Sequence, residues 1–435
     1  MTLPTSPDEA SKDATPHVAR RLGLVDVLAI GVNAIVGSGV FSVPDDMQRE
    51  MGGFSPLSFL LCAVVLIPVA LCFAELASDS DRTGGPYVYA ERAFGRRVSF
   101  IVGWSCYLNA FLSFAANSTQ LVSQLGLERS ALYRPVVVAI VLGLGAINYV
   151  GVRPGANVVH LMTAGKLLAI FLFLGAAFLH FDASRLGGAL PSGGAGVANG
   201  VYLALFPLQG FEVVPVPAGE TKNPSRDVPI ATVGSLLFAA LLFVLVQVAL
   251  VGSYPALGVE SDTPLVDAAR SIGKTLGLLV MAGSIVSVGG FTAGSALGSP
   301  RYAQAMAEGG VLPAPLGRVH PRWKTPHVAI ALTTLLAAAL GAVFTYRELV
   351  GFSNVTVVFQ YALTCAAVLM IRRRFPERRP KFRVPGGPVL PVVGALGSVF
   401  LLRGSSLTEL AWAGAGLALG VVVAALSTLA ARRPA

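Results

Sequence analysis

The chain has 435 residues, of which 54% are hydrophobic and 13% charged, and its mean hydropathy is +0.70. A soluble domain normally has about 25% charged residues, so this composition excludes an ordinary soluble protein and indicates one that crosses a bilayer many times. The formal net charge of +9 does not indicate nucleic-acid binding, because the basic residues are spread over alternate loops between apolar runs.

The N-terminal segment, residues 1–21, is polar and is predicted to be a cytoplasmic tail. The apolar run that follows it comes too late and is too long for a signal peptide. A helix that crosses a bilayer needs about 20 residues, so residues 22–435 have room for roughly a dozen spans. We predict twelve α-helical spans: 23–44, 55–78, 97–122, 133–150, 157–180, 197–217, 229–252, 275–303, 327–345, 349–371, 388–403 and 408–430.

The basic residues predict how these spans are oriented. With a cytoplasmic N-terminus, 23 of the 32 Lys and Arg residues fall in cytoplasmic segments, 8 fall outside, and Lys166 alone falls inside a span. The positive-inside rule therefore predicts a multi-pass protein of the inner or plasma membrane with both termini in the cytoplasm. The four cysteines lie in apolar runs without CxxC spacing, so we expect no disulfide framework, metal site or cofactor.

Two of the predicted spans contain residues that interrupt a helix. The first has Gly37-Ser38-Gly39, and each glycine costs a helix about 1 kcal/mol relative to alanine. The sixth has a proline and a glycine within 206–210. Two interrupted spans at matching places in two halves point to a secondary transporter whose substrate binds near the membrane midplane. Their spacing predicts inverted repeats of five spans each, 22–180 and 197–371, with two further helices at 388–430.

Interrupted helices expose backbone groups that can bind a ligand. The first break frees N–H groups at the start of a half-helix, which suit a carboxylate. The second break frees carbonyl groups at the end of the opposing half-helix, which suit an ammonium. An α-amino acid has both groups at a fixed separation. The alternative is that Gly37 and Gly39 only allow helices to pack closely.

Five stretches, in order along the chain, resemble motifs of one family: 35–41, 83–89, 210–224, 299–313 and 372–387. The first reads Ile-Val-Gly-Ser-Gly-Val-Phe and the second Thr-Gly-Gly-Pro-Tyr-Val-Tyr. They resemble the amino acid–polyamine–organocation transporters. The resemblance implies a LeuT-type fold and sodium-independent, alternating-access transport of amino acids, by proton symport or exchange. A cationic amino acid or polyamine antiporter of the same fold is the alternative.

The resemblance also implies roles for residues at the two breaks. It assigns recognition of the substrate main chain to these positions: Ile35, Val36, Gly37, Ser38, Gly39, Gly210 and Phe211. It makes Phe206 an aromatic gate over the substrate. Glu212 is an acid at membrane depth, where such groups are rare and usually functional. It is a candidate proton carrier, with a structural hydrogen bond as the alternative.

Lys166 lies deep within the fifth predicted span, without an acid nearby, and is too deep to reach the membrane surface easily. In sodium-coupled members of the LeuT fold a cation bridges the first and eighth helices. Lys166 resembles a fifth-helix lysine that takes that place in relatives without sodium coupling. We therefore expect its ammonium to contact carbonyls near Asn33 or Ala34 and a hydroxyl such as Ser284 or Ser287. The alternative places Lys166 at a membrane interface.

The expected partners are an amino acid, protons and the lipid bilayer, with no nucleic acid, and the protein is expected to be a monomer or homodimer. An enzyme is not expected, because the five histidines are scattered and the HExxH and GxSxG motifs are absent.

Overall fold

The computed structural model describes residues 22–78, 85–151, 156–216 and 221–431. The predicted tail 1–21 lies outside the described residues, as do residues 83, 84 and 217–220 of the family motifs. Within the described ranges the regular structure is helical, apart from two isolated backbone bridges, Leu22 to Thr221 and Gly53 to Gly187.

The chain forms seventeen α-helices within these ranges, and four short 3₁₀ turns lie between them. In the first part of the chain they are α1 (Leu24–Ile35), α2 (Gly39–Ser42), α3 (Pro44–Met51), α4 (Pro56–Ser78), α5 (Pro86–Phe94), α6 (Arg96–Gln124), α7 (Tyr133–Val150) and α8 (Ala156–Leu179). They continue as α9 (Gly193–Leu203), α10 (Leu205–Leu208), α11 (Pro224–Ser253), α12 (Pro264–Ile272), α13 (Lys274–Glu308), α14 (His327–Val343), α15 (Tyr346–Arg374), α16 (Val389–Leu401) and α17 (Leu407–Ala431). The 3₁₀ turns are Ala183–Arg185, Phe211–Val213, Ala314–Gly317 and Leu402–Gly404.

Nine helical segments in the described part of the chain are long and apolar enough to cross a membrane, and two shorter apolar helices accompany them, His327–Val343 and Val389–Gly404. This confirms the prediction of an all-helical, multi-pass membrane protein. The predicted sixth span, 197–217, is divided between α9, α10 and the turn Phe211–Val213.

The helix starts follow from local chemistry. Helices α3, α4, α5, α11 and α12 each begin with proline, whose fixed φ suits the first helical position and whose missing N–H is not needed there. Interior prolines at Pro68 and Pro229 are tolerated within α4 and α11, because neighbouring helices in a membrane bundle satisfy the freed backbone groups.

The core that supports the site is formed by two groups of helices. Helix α4 packs on α11, with the Phe59 and Phe243 rings 5.4 Å apart. Helix α6 packs against both α13 and α15, and α1 packs on α11. At one end Glu75 of α4 accepts hydrogen bonds from Arg372 Nε (2.9 Å) and Val384 N (2.7 Å). Glu75 is buried and Arg372 half-buried, so this ion pair joins α15 to α4 while the Val384 bond holds the α15–α16 loop against α4.

Candidate functional site

The first break lies between α1 and α2. Helix α1 ends at Ile35, residues 36–38 are not helical, and the backbone is helical again from Gly39. Val43, between α2 and α3, has helical dihedral angles, so the second half of this segment runs on to Met51. The first N–H groups of a helix have no acceptor within it, and those at the start of α2 are therefore available to an anion.

The second break follows α10, which ends at Leu208. Gln209 is extended and Gly210 has a φ of +116°, in the region that favours glycine. A Cβ added at Gly210 would lie 2.6 Å from the carbonyl carbon and oxygen of Ala34. Gly210 is therefore required both by its backbone angle and by its close approach to the first segment.

The two breaks pack directly against each other. A Cβ at Gly39 would lie 2.6 Å from Pro207 Cγ and 2.7 Å from Pro207 Cα, and one at Gly37 would meet the Phe291 ring at 3.2 Å. Gly39 thus has the packing role that the sequence left open as an alternative. Because Gly39 also lines the cavity described below, packing and substrate recognition are compatible at this position.

Lys166 of α8 lies against the first break. Its Nζ donates to Asn33 O (3.0 Å), Asn33 Oδ1 (2.7 Å) and Val36 O (2.6 Å), and the residue is 1% exposed. The three ammonium hydrogens therefore have three oxygen acceptors. Thr163 Oγ1 also donates to Asn33 Oδ1 (3.0 Å) and fixes the orientation of that amide.

The two serines expected near Lys166 have different partners. Ser287 Oγ lies 3.1 Å from Gly37 O and 3.3 Å from Val36 O, so Ser287 and Lys166 meet at the Val36 carbonyl. Ser284 lies one turn away and instead donates to Gln124 Oε1 at 2.7 Å. The structure thus places Ser287, rather than Ser284, at the break.

Glu212 lies beside the second break and is 8% exposed. Its Oε2 accepts from Gly210 N (2.8 Å) and from the Tyr361 hydroxyl (2.9 Å). Phe211 was expected at the substrate, but its ring is fully buried between Phe73 (5.8 Å) and Tyr361 (5.2 Å) and does not line the cavity. The reason is the 3₁₀ turn, within which Glu212 lines the cavity and Phe211 lies in the core.

A cavity of about 320 Å³ lies between the two breaks. Of the residues predicted from sequence, those that line it are Ile35, Gly37, Ser38, Gly39, Phe206, Gly210 and Glu212. The other walls come from α6, α13 and α15, including Asn109, Ser113, Asn117, Gly294, Gly298 and Gln360. Val36 is buried outside this lining and presents its carbonyl to Lys166.

A second cavity of about 890 Å³ lies towards the α6–α7 and α11–α12 loops, on the side predicted to face outwards. Tyr346 lies between the two cavities: it lines the outer one, its hydroxyl is 3.1 Å from Ser38 Oγ, and its ring lies edge-on to Phe206 at 6.1 Å. Tyr346 and Phe206 therefore close the central cavity on this side.

Arg347, next to Tyr346, lines the outer cavity and forms ion pairs with three acids, of which Glu260 and Asp262 also line it. It contacts Asp46 (Nε to Oδ2, 3.0 Å), Glu260 (3.5 Å) and Asp262 (3.8 Å). Burial raises the pKa of the Asp262 carboxyl, and Arg347 opposes this shift. This ion-pair cluster links the start of α15 to α3 and to the loop before α12, which strengthens the closure.

Sequence reasoning missed Tyr346 and Tyr361. Tyr361 follows Gln360 within an apolar span, and two adjacent polar side chains at membrane depth indicate a functional site. Tyr346 lies at a helix start and carried no such signal. Within the described ranges, no group of three or more His, Cys, Asp and Glu side chains is placed to hold a metal ion.

Comparison with known proteins finds a matching family and several related chains. The model of a family described as amino acid permease matches residues 22–425. The chain is 27% identical over 417 residues to the branched-chain amino acid permease of Bacillus subtilis, covering 90% of both chains. It is 23% identical to the methylthioribose transporter of the same organism, covering 89% of this chain and 88% of that one. It is 28% identical to cationic amino acid transporter 4 of Mus musculus, covering 87% of this chain and 64% of that one.

Proposed function

The chain belongs to the amino acid permease family, and we propose that it carries amino acids across a cell membrane by alternating access. The observation that carries this proposal is the cavity enclosed by both interrupted segments. We further propose twelve spans, arranged as two inverted repeats of five with two additional helices, and cytoplasmic termini. The protein would act as a monomer or homodimer. Its relatives are named as transporters rather than enzymes.

The substrate main chain is proposed to bind between the breaks. The N–H groups at Ser38 and Gly39 open the half-helix that continues to Met51, and they would bind the carboxylate with help from the helix dipole. The carbonyl groups at the end of α10 would accept hydrogen bonds from the ammonium. Ile35, Gly37 and Gly210 complete this part of the wall. Phe206 would cover the bound substrate.

Lys166 is proposed to replace a coupling cation. An ammonium bonded to Asn33 and Val36 supplies a positive charge at the first break without sodium. Ser287 completes this site through its contacts with the Val36 and Gly37 carbonyls, whereas Ser284 bonds to Gln124 outside it. Transport would then be independent of sodium and coupled to protons or to exchange of a second substrate. Lys166 and Glu212 are the two candidate proton carriers.

The geometry fits one state of the proposed cycle. Tyr346, Phe206 and the Arg347 cluster close the outer side. The lining of the central cavity includes Ile30 and Val213, on the proposed cytoplasmic side of the two breaks. This arrangement corresponds to an inward-facing state, and opening to the outside would require Tyr346 to leave Ser38.

The test is uptake by purified protein in proteoliposomes. Radiolabelled amino acids are offered one at a time, and sodium and proton gradients are imposed separately. The proposal predicts saturable uptake of at least one amino acid that is indifferent to sodium and responds to a pH gradient or to a trans substrate. Absence of uptake and of exchange for every amino acid would contradict the function. Strict dependence on sodium would contradict the role of Lys166.

A cationic amino acid or polyamine antiporter is the second candidate. It is favoured by Glu212, the one acid among the described residues that line the cavity, and by similarity to a cationic amino acid transporter. A single assay distinguishes the two candidate functions. Vesicles preloaded with a polyamine or a basic amino acid would accelerate uptake of the labelled substrate only if the protein is this antiporter.

A further inference from the structure

The end of α15 and the loop that follows it carry a dense positive charge. Residues 372–383 include seven Lys and Arg residues and one acid, Glu377. Arg372 points inward to its ion pair with Glu75. Five others are exposed, and within the described part of the chain none of the five forms an ion pair: Arg373, Arg374, Arg379, Lys381 and Arg383. Their charge is therefore available to an anion outside the chain.

Contacts with α4 hold this loop in place. Val384 N donates to Glu75 Oε2 (2.7 Å), and Phe382 N donates to Ser78 Oγ (3.3 Å). Arg372 Nη2 also donates to Val384 O (3.2 Å). Because the backbone is fixed at these points, the exposed cations stay near the end of α15. A ligand that binds them does not have to order the loop, which would otherwise weaken its binding.

Two arginines from different helices contact one exposed aromatic ring. Arg92 of α5 and Arg374 of α15 each have their Cζ atom 5.8 Å from the centre of the Phe375 ring, and Phe375 is 39% exposed. Cation–π contacts of this kind help to fix the position of a guanidinium group. A guanidinium suits phosphate because its N–H donors match the phosphate oxygens in pairs. The ring thus holds two phosphate-binding groups at the point where α15 ends.

An exposed apolar stripe on α15 leads to these arginines. Phe359 and Met370 are 37% and 39% exposed, and they lie on one face because eleven residues make about three helical turns. At 1.5 Å per residue they are about 16 Å apart, close to the apolar depth of one leaflet, about 15 Å. Arg373 and Arg374 follow Met370 by three and four residues, so they continue the same face. The helix therefore presents an apolar stripe and a cationic end in line.

We propose that this surface binds one anionic phospholipid, through Arg92, Phe359, Met370, Arg373, Arg374 and Phe375. The arginines take the headgroup phosphate, and the stripe takes an acyl chain. Polybasic segments next to a spanning helix attract anionic lipids, and the rest of the cationic loop adds to that attraction. A lipid fits better than a soluble phosphate because the apolar stripe ends at the arginines. The site is independent of the transported substrate and requires only that α15 crosses a bilayer.

The experiment is a lipid titration of the purified protein in detergent, followed by native mass spectrometry. Dioleoylphosphatidylglycerol is the probe, and dioleoylphosphatidylcholine, with the same acyl chains and no net charge, is the control lipid. One cation at the membrane surface strengthens binding about 5-fold, so two arginines predict that the anionic lipid binds at least about 10-fold more tightly. Dihexanoylphosphatidylglycerol has the same headgroup and short chains, and it should bind at least about 10-fold more weakly than the probe.

Arg373→Gln combined with Arg374→Gln should weaken binding of the probe at least about 10-fold and leave binding of phosphatidylcholine unchanged. The matched control is Arg318→Gln combined with Lys324→Gln. It removes the same charge at exposed positions of the α13–α14 loop, also on the predicted cytoplasmic side, and should change neither lipid. All four side chains are exposed, so both double variants should melt as wild type in phosphatidylcholine, which shows that they are folded.

Four results would overturn the lipid site. Equal binding of the two dioleoyl lipids would refute recognition of the headgroup charge, and equal binding of the short-chain lipid would refute the role of the stripe. An equal loss in the control double variant would show a general effect of surface charge. Displacement of the probe by inorganic phosphate would make free phosphate the ligand. None of these results bears on amino acid transport, which the proteoliposome assay tests separately.

Discussion

Replacing Lys166 with methionine tests the proposed cation site most sharply, because methionine keeps much of the side-chain length and volume but removes the ammonium. Three hydrogen bonds to Asn33 and Val36 are lost. Val36 O keeps its contact with Ser287 Oγ, and Asn33 Oδ1 keeps the bond from Thr163. Asn33 O alone loses its partner, since Gly37 N, which would continue the helix, bonds to Ile35 O instead.

These losses set the expected magnitudes. One buried carbonyl left without a hydrogen-bond donor costs about 1–3 kcal/mol. Part of that cost is offset because the variant no longer buries an ammonium that lacks a carboxylate partner. The variant should therefore fold, with a free energy of unfolding lowered by about 2 kcal/mol or less. The transport rate should fall much further. Losing one charge-assisted hydrogen bond in only one of the alternating states changes their free-energy difference by about 2.7 kcal/mol, which corresponds to about 100-fold in rate.

The assay for Lys166→Met combines thermal unfolding in detergent with sodium-free uptake in proteoliposomes. Leu168→Met, at a residue 60% exposed on the same helix, is the matched control and should behave as wild type. Wild-type uptake by Lys166→Met would refute the proposed role of the ammonium. Complete loss of folded protein would show that the free-energy reasoning is wrong.

Three further predictions concern the surroundings of the site. Arg347→Gln should break the ion-pair cluster on the outer side, where exposed pairs contribute about 0–1 kcal/mol each. Labelling of a cysteine introduced as Ser113→Cys, by an impermeant thiol reagent added from outside, should therefore rise about 2- to 5-fold. Unchanged labelling would show that the ion-pair cluster does not help to close the outer side. Gly210→Ala should lower the free energy of unfolding by at least about 2 kcal/mol, from its positive φ and its overlap with the first break; a wild-type melting curve would contradict this. Glu75→Gln should lower the free energy of unfolding by about 3–5 kcal/mol, because it breaks an ion pair whose carboxylate is buried. Glu308→Gln, at an exposed position, should melt as wild type. Equal melting of the two variants would contradict the structural role of Glu75.

Much of the architecture was readable from the sequence because a bilayer constrains it strongly. Apolar runs of about 20 residues must be helices, and glycine and proline within two of them were the reason to expect interruptions there. Lys166 stood out because a lysine in an apolar run needs oxygen acceptors, and the carbonyls after α1 supply them.

The remaining features depend on how distant segments meet. Tyr346 is 308 residues from Ser38, and no spacing rule connects the two. Phe211 shows the limit of assigning roles by position, because a 3₁₀ turn rather than an α-helix decides that its ring enters the core. Gly39 and Pro207 likewise pack together only in the folded bundle.

The most direct test of the central claim is an experimental structure with a transported amino acid bound. The account predicts density in the cavity between the breaks, with the substrate carboxylate about 3 Å from the backbone nitrogens of Ser38 and Gly39 and its ammonium facing the end of α10. Substrate bound elsewhere, with the space between Gly39 and Gly210 unoccupied, would contradict it.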